Sequence, residues 1–267
     1  MATLVCFHAH PDDEAIATGG LMVLASDAGH RVVLVTATGG EHGEVADGVL
    51  EAGESLGERR AKELAVAARI LGVSRTVSLG YVDSGMMGTP ENDLPSAFWQ
   101  ADVEEAAGRL AEVLRDEAAD VMTIYDENGV YGHPDHIQVH RVGGRAAELA
   151  GTPVVYEATA NRDHVRGLME LAGETPEGPG GPPIDPSDFG VPEARITTRL
   201  DVHRAVSRKK EALAAHASQV PPESFFMTMS EEQFDRAFGD EWFVRVGAPA
   251  GTKEDFRLDG ISPARPA

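Results

Sequence analysis

Short apolar runs rich in β-branched residues alternate along this chain with longer segments of helical periodicity. The clearest run, residues 32–35, has no polar position and is typical of a strand buried on both faces. After it, Leu64, Ala68 and Leu71 recur on one helical stripe that stops at Gly72, a residue suited to a left-handed helix end. The same patterns predict strands over residues 3–8, 121–125 and 195–202, and helices over residues 59–71, 137–149 and 204–217. This alternation predicts an α/β fold, a Rossmann-like and mostly parallel sheet with helices on both faces.

The length of 267 residues fits one α/β domain, so we predict a single domain over residues 1–267. Two segments depart from the strand and helix pattern. Residues 174–192 contain six Pro and four Gly, which predicts a surface loop, and residues 248–267 are predicted to be a flexible tail. Cys6 is the only cysteine and lies in an apolar run, so no intramolecular disulfide can form and a buried, inert thiol is expected.

The charge balance restricts the partners of the chain. The sequence has 23 Lys and Arg against 44 Asp and Glu, a formal charge of −21, which argues against nucleic-acid binding by phosphate neutralisation. No stretch approaches the roughly 18 apolar residues of a membrane span, and no basic leader segment begins the chain, which favours a cytoplasmic location. We therefore expect a small-molecule substrate, and a homo-oligomer is compatible with the sequence.

Two polar segments, residues 8–14 and 125–136, each follow a predicted strand and each contain His-Pro-Asp. Ligands of open α/β sheets bind at the carboxyl ends of the strands, so polar clusters there have a physical reason to be functional. The first segment offers an imidazole and a carboxylate three residues apart, His10 and Asp13, and the second offers two imidazoles at the same spacing, His133 and His136, so each pair falls on one face of a helical turn. The two segments together predict a metal site at the C-terminal ends of the strands.

His10, Asp13 and His136 would supply the three protein ligands of a catalytic zinc, leaving a fourth position for water. Asp12 would then act as a base, and His133 as an acid or a stabiliser of the oxyanion. Spacing does not reveal which residue of each cluster touches the metal. Helix capping also explains a single His-Pro-Asp, and Fe(II) or another divalent ion suits the same ligands.

The segments HPDDE at residues 10–14 and GHPDH at residues 132–136 resemble the LmbE-like or PIG-L family of zinc-dependent N-deacetylases. Both motifs match without a gap. The resemblance implies the following roles: zinc binding by His10, Asp13 and His136, general base catalysis by Asp12, and stabilisation of the tetrahedral intermediate by His133.

Further segments, up to about residue 220, are similar to the family branch that contains the mycothiol-pathway deacetylase and the mycothiol conjugate amidases. This similarity implies that Arg60 and Asp83 contact sugar or inositol hydroxyls and that Tyr131 moves against the scissile carbonyl. The conjugate amidases carry a Lys shortly after HPDDE, whereas residues 15–18 here read AIAT. The resemblance thus implies a hydrolase that deacetylates a GlcNAc-type glycoside, GlcNAc-inositol being one candidate. The alternatives are an amidase of mycothiol conjugates and a catalytically silent sugar-binding module.

Several neighbouring polar residues have two interpretations each. Asp135 either orients His133 as a carboxylate–imidazole pair or caps a helix. Glu14 is either a fourth ligand or a partner of a ligating imidazole. His140 lies one helical turn beyond the predicted ligands and is interpreted as an ordinary helix residue, and residues 41–44 line the pocket or form a polar rim.

Overall fold

Seven strands form one sheet in the computed structural model of the protein, which describes residues 1–45, 48–172 and 189–260. In chain order the strands are β1 (Thr3–His8), β2 (Arg31–Thr38), β3 (Arg75–Tyr81), β4 (Val121–Tyr125), β5 (Val154–Thr159), β6 (Thr198–Asp201) and β7 (Asp240–Arg245). The helices are α1 (Asp13–Ala17), α2 (Gly19–Asp27), α3 (Leu56–Leu71), α4 (Val103–Asp116), α5 (Gly129–Gly132), α6 (Pro134–Ala150), α7 (Arg162–Ala172), α8 (Val206–Ala214), α9 (Phe225–Thr228) and α10 (Glu231–Phe238). Short 3-10 turns occur at Pro90–Asp93, Phe98–Gln100, Glu193–Arg195 and His203–Ala205.

The strand order across the sheet is β3-β2-β1-β4-β5-β7-β6. The first five strands of this order pair in parallel. The last two are antiparallel, because β7 pairs with β5 and β6 pairs with β7. The predicted mostly parallel α/β sheet is confirmed, with a C-terminal antiparallel extension that the sequence pattern did not indicate.

Hydrophobic cores cover both faces of the sheet. Along β1, Leu4 and Cys6 belong to one core, to which α2, α3 and α8 contribute. Val5 and Phe7 point to the opposite core, formed with α4 and α6. This alternation is the period of two expected for a strand that is buried on both faces. Cys6 is fully buried as expected, and burial raises the pKa of its thiol to about 12.

Two helices begin earlier than their periodicity predicted. The helix expected from residue 59 begins at Leu56, because Ser55 and Glu58 form a reciprocal capping box. It ends at Gly72 as predicted, with φ of 79°. The helix expected from residue 137 begins at Pro134, a favoured first helical residue because proline lacks the N–H that would go unpaired there.

The C-terminal part differs more from expectation. The strand predicted over residues 195–202 is observed only as β6, because 3-10 turns at Glu193–Arg195 and His203–Ala205 precede and follow it. The helix predicted over residues 204–217 is observed only as α8, which begins after the second of these turns and ends at Ala214. The tail expected to be flexible from residue 248 packs against the sheet as far as residue 258: the ring of Phe256 stacks on Tyr156 with centroids 4.2 Å apart. Most of the predicted loop, residues 173–188, and residues 261–267 lie outside the described residues.

A buried ion pair joins three distant elements. Nζ of Lys209 on α8 lies 2.7 Å from the carboxylate of Glu241 on β7, and both side chains are at most 2% exposed. The same carboxylate accepts the N–H groups of Gly20 and Leu21, at 2.7 and 2.8 Å. Glu241 therefore satisfies the first turn of α2, where the helix dipole favours a negative charge.

Helix α6 lies close against β4 because Gly143 has no side chain. A Cβ atom at that position would be 2.4 Å from Cγ2 of Ile124, whereas the neighbouring Gly144 has open space. Across the part of the chain that the structure describes, no helix combines the length and apolar character needed to cross a membrane.

Candidate active site

The two His-Pro-Asp motifs lie beside each other just beyond the C-terminal ends of β1 and β4. These strands are neighbours, and their parallel register pairs Cys6 with Thr123, so the loops that follow reach the same edge of the sheet. The loop after β3 arrives there too, since the N–H of Ser84 donates to Asp135 at 2.9 Å. Three loops from different parts of the sequence thus form one polar cluster.

His10, Asp13 and His136 form a group of possible metal ligands, with one ligand atom of each within 4.8 Å of the others. Nδ1 of His10 is 3.4 Å from Oδ2 of Asp13, and Nε2 of His136 is 3.3 Å from Oδ1 of the same carboxylate. Burial raises the pKa of Asp13, but His136 and His10 outweigh burial and hold it well below its usual value. The group therefore offers an ionised carboxylate between two imidazoles, a donor set suited to a divalent cation.

The second nitrogen of His10 is occupied by a different carboxylate. Nε2 of His10 donates to Oδ2 of Asp135 at 3.1 Å, and Ser84 donates both its N–H and its hydroxyl to Asp135. The sequence interpretation that Asp135 orients His133 is wrong in this respect, because its carboxylate is used by His10 and Ser84. Asp135 instead fixes the proton of His10 on Nε2 and leaves Nδ1 free to bind a metal.

The hydrogen bond between His10 and Asp135 also decides between two groups of possible metal ligands that share His10. His10, Asp83 and His133 form the second group. Oδ1 of Asp83 lies 3.5 Å from Nε2 of His10, on the side of the ring that carries the proton. Because only Nδ1 is then available, the group with Asp13 and His136 is the better ligand set.

His136 is held by an aromatic contact that the sequence analysis missed. The ring of Tyr125, the last residue of β4, stacks on the imidazole with centroids 4.4 Å apart and an interplanar angle of 11°. The hydroxyl of Tyr125 is 2.7 Å from Nδ1 of His8, whose Nε2 is 2.8 Å from the hydroxyl of Thr18. His8 and Tyr125 are the last residues of buried strands, a position that could have identified them. His140 contacts the carbonyl of Tyr125 at 3.0 Å.

Asp12 lies beside the ligand group in an unusual backbone conformation. Its φ of 104° falls in the left-handed region, which strains a residue with a side chain by roughly 1–3 kcal/mol. The N–H of Asp12 donates to Oε2 of Glu14 at 2.8 Å. Nη2 of Arg60 donates to the carbonyl of Pro11 at 2.5 Å and to Oδ2 of Asp12 at 3.1 Å. These contacts hold both the strained peptide and the carboxylate.

The electrostatic surroundings of Asp12 suit proton transfer. Burial raises the pKa of its carboxyl, Arg60 lowers it and Asp13 raises it, and the balance places the pKa at about 6. A carboxylate of this pKa is ionised at neutral pH and is still a useful base.

Arg60 was expected to contact sugar hydroxyls, but its side chain is only 4% exposed. Besides Pro11 and Asp12, its guanidinium donates to the carbonyl of Gly40 at 2.8 Å and to the amide oxygen of Gln219 at 3.3 Å. These contacts place Arg60 behind Asp12. Its contact with a substrate stays a prediction, as does that of Asp83, which is also buried.

His133 caps the first turn of α6. Its Nδ1 accepts the N–H of Asp135 at 3.1 Å, so in the neutral ring the proton lies on Nε2. Burial, His10 and His136 together lower the pKa of His133 to about 2. The imidazole of His133 is therefore neutral near pH 7. A neutral imidazole with Nε2–H is a hydrogen-bond donor.

Tyr131 borders the ligand group on a strained turn. Its hydroxyl is 3.5 Å from Nε2 of His136, and the two ring centroids are 4.9 Å apart. The preceding Val130 has a φ of 66°. Oδ1 of Asp126 accepts the N–H of Val130 at 3.1 Å. The carbonyl of Val130 accepts the N–H of Gly190 at 2.7 Å. The phenol is thereby placed at the margin of the cluster, partly exposed.

Glu14 and His216 form a fully buried pair behind the site. Nε2 of His216 donates to Oε1 of Glu14 at 2.7 Å, and both side chains are 0% exposed. Burial opposes the charge, yet His216 keeps the pKa of Glu14 below its usual value. Neither expectation for Glu14, a metal ligand or a partner of a ligating imidazole, describes this contact. The sequence predicted no role for His216, because nothing local links residues 14 and 216.

Comparisons with known proteins identify a family profile and relatives that match this chain. The sequence profile of the PIG-L family, described as GlcNAc-PI de-N-acetylase, matches residues 5–147. A protein of Acidothermus cellulolyticus named 1D-myo-inositol 2-acetamido-2-deoxy-alpha-D-glucopyranoside deacetylase is 42% identical over 273 residues, covering 97% of this chain and 94% of that protein. A protein of the same name from Thermomonospora curvata is 40% identical, covering 91% of this chain and 90% of its own length.

Among solved structures, the fold is similar to that of N,N'-diacetylchitobiose deacetylase from Pyrococcus horikoshii. The TM-score is 0.57 with 23% sequence identity, covering 91% of this chain and 83% of the other. At this identity the likeness concerns the fold alone, and the relatives of higher identity carry the functional comparison.

Proposed function

The chain belongs to the PIG-L family, and from that premise we propose that it deacetylates GlcNAc-inositol with a zinc ion held by His10, Asp13 and His136. It is an N-deacetylase of a GlcNAc-type amino sugar, a hydrolase of a linear amide C–N bond. The observation that carries the finer proposal is the convergence of two imidazoles and one ionised carboxylate beside Asp12. The substrate is proposed from the names of the relatives at 42% and 40% identity.

The ligand group meets the requirements of a catalytic zinc site. Nδ1 of His10, the carboxylate of Asp13 and Nε2 of His136 face one another, and Asp135 supplies the outer hydrogen bond that ligating imidazoles require. When bound, zinc supplies Lewis acidity, which polarises the acetyl carbonyl and acidifies water. Fe(II) or another divalent ion would suit the same ligands.

Asp12 acts as the general base of the proposed mechanism. Its carboxylate takes one proton from the water that attacks the acetyl carbonyl carbon. The C–N bond of the tetrahedral intermediate then breaks, and Asp12 returns this proton to the departing amine nitrogen. This step gives acetic acid and the free amine, and at neutral pH the acid proton is taken up by the amine. The products are then acetate and the ammonium form of the amino sugar, so the atoms and protons balance.

His133 and Tyr131 serve the carbonyl oxygen. As a neutral ring with its proton on Nε2, His133 donates a hydrogen bond to the oxyanion that develops during attack. The phenol of Tyr131 is proposed to approach the same oxygen, a role supported by its position at the margin of the ligand group. Arg60 and Asp83 are proposed to contact sugar or inositol hydroxyls, and Arg60 also holds Asp12.

The function is tested by assaying the purified chain after removal and return of zinc, with GlcNAc-inositol and a mycothiol conjugate as rival substrates. We expect equal amounts of acetate and free amine from GlcNAc-inositol, loss of turnover without metal, and recovery with one zinc per chain. A higher kcat/KM for the conjugate would favour the amidase alternative. Absence of acetate from every N-acetyl sugar, with zinc bound, would favour a silent binding module.

A further inference from the structure

We propose that His216 is a positioning residue for Asp12 and acts through Glu14. This inference rests on the proposed function, because it assumes that Asp12 is the base of a deacetylase. The connection consists of two consecutive hydrogen bonds: Nε2 of His216 donates to Oε1 of Glu14 at 2.7 Å, and the N–H of Asp12 donates to Oε2 of Glu14 at 2.8 Å.

Burial makes this connection rigid. Glu14 and His216 are both fully buried, and a carboxylate in such a place is stable only when its oxygens are paired. One oxygen of Glu14 is paired with the imidazole and the other with the peptide N–H of Asp12. If His216 no longer supplied its hydrogen bond, Glu14 would have to turn toward another donor, and Asp12 would lose its acceptor.

The peptide that Glu14 holds is the strained one. Asp12 has a φ of 104°, and such a conformation persists only when surrounding contacts enforce it. Arg60 holds the preceding carbonyl and the carboxylate, while Glu14 holds the N–H. Release of the N–H lets the peptide relax and moves the carboxylate away from its working direction. A displacement of about 1 Å in a reacting group can lower the rate by about 100-fold.

The segment that carries His216 also has contacts of a purely structural kind. The N–H and hydroxyl of Ser218 donate to the two carboxylate oxygens of Glu63 on α3, at 2.9 and 2.6 Å. Ser218 therefore anchors the segment without contacting Asp12 or Glu14. The two residues allow the docking of the segment to be separated from the positioning of the base.

Two amide substitutions of His216 test whether the position of the donor nitrogen matters. In His216→Gln the amide nitrogen comes near the position of Nε2, so the hydrogen bond to Glu14 can form. In His216→Asn it comes near Nδ1, which has no partner among the described residues, and Glu14 loses its donor. Both variants are neutral and polar, so they differ mainly in where the donor lies. Ser218→Ala is the matched control, because it weakens the attachment of this segment to Glu63 without altering the imidazole. Glu14→Asp shortens the side chain that carries the accepting carboxylate and tests the same connection independently.

Each variant is loaded with zinc and assayed with GlcNAc-inositol for kcat, KM, zinc content and thermal midpoint. We expect His216→Asn and Glu14→Asp to lose about 100-fold in kcat, with KM and zinc content unchanged, and His216→Gln and Ser218→Ala to stay within about fivefold of wild type. Equal kcat values for His216→Gln and His216→Asn would overturn the proposal. The proposal would also be overturned if the loss of kcat in both His216→Asn and Glu14→Asp were explained by loss of zinc or of folded protein. An inactive wild type would instead count against the deacetylase function itself.

Discussion

Replacing Asp12 by Asn is the most direct perturbation of the proposed chemistry. The amide has the shape of the carboxylate, so its oxygen can still accept from Arg60 and its backbone N–H can still donate to Glu14. His10, Asp13 and His136 are not altered. The substitution therefore removes the proposed base and leaves the backbone contacts and the proposed metal ligands in place.

The magnitude follows from the role of the residue. General base catalysis contributes roughly 100- to 10,000-fold to a rate, so kcat of Asp12→Asn should fall by that factor. At about 1.36 kcal/mol for each tenfold, the barrier rises by about 2.7 to 5.4 kcal/mol. KM and zinc content should stay unchanged, since binding of the substrate and of the metal does not need the charge of Asp12.

The pH profile gives a second measurement of the same residue. The pKa of Asp12 is raised to about 6, and its base form is the ionised one. Activity of the wild type should therefore fall as the pH drops through this pKa. A bound cation lowers the pKa, so the acidic limb of kcat/KM should lie at or below about pH 6, and Asp12→Asn should lack it.

The assay is acetate release at saturating and low GlcNAc-inositol, with metal analysis on the same sample. Asp120→Asn is the control, because Asp120 contacts the N–H of Thr3 at the other end of the strands. That variant should behave like wild type. A fully zinc-loaded Asp12→Asn enzyme with a kcat near wild type, or with the acidic limb intact, would refute the assignment of the base.

Three further substitutions, two of them paired with a control substitution, test the metal site and the packing. His136→Ala should abolish stoichiometric zinc binding in elemental analysis, whereas His140→Ala should keep it; zinc loss in both would count against the ligand assignment. Gly143→Ala forces a Cβ to 2.4 Å from Ile124 and should destabilise the fold by about 1–3 kcal/mol in urea unfolding. Gly144→Ala, with open space, should stabilise it by about 0.5–1 kcal/mol, and a reversed order would contradict the packing of α6. Lys209→Met leaves a buried carboxylate without its cation and should lower the unfolding free energy by about 3–5 kcal/mol; a loss below about 1 kcal/mol would contradict the buried pair.

Features that depend on neighbours in the sequence were predictable from the sequence. Strands β1 and β4 have the predicted bounds, because a continuous apolar run indicates a strand buried on both faces. The left-handed end at Gly72 was likewise a local property of glycine. Helix starts were predicted less well, because the cap at Ser55 and the preference of Pro134 for the first helical position extend the helices beyond their apolar periodicity.

The parts of the site that span the chain were decided by the tertiary structure. The two His-Pro-Asp motifs predicted a metal site, but not that the carboxylate of Asp135 binds His10, nor that burial, His10 and His136 keep His133 neutral. Residues 14 and 216 are 202 positions apart, and no local pattern relates them. A hydrogen bond depends on tenths of an ångström and on burial, and both arise only when separate elements pack. Residue types and strand ends therefore indicated the chemistry, and packing selected which atoms carry it out.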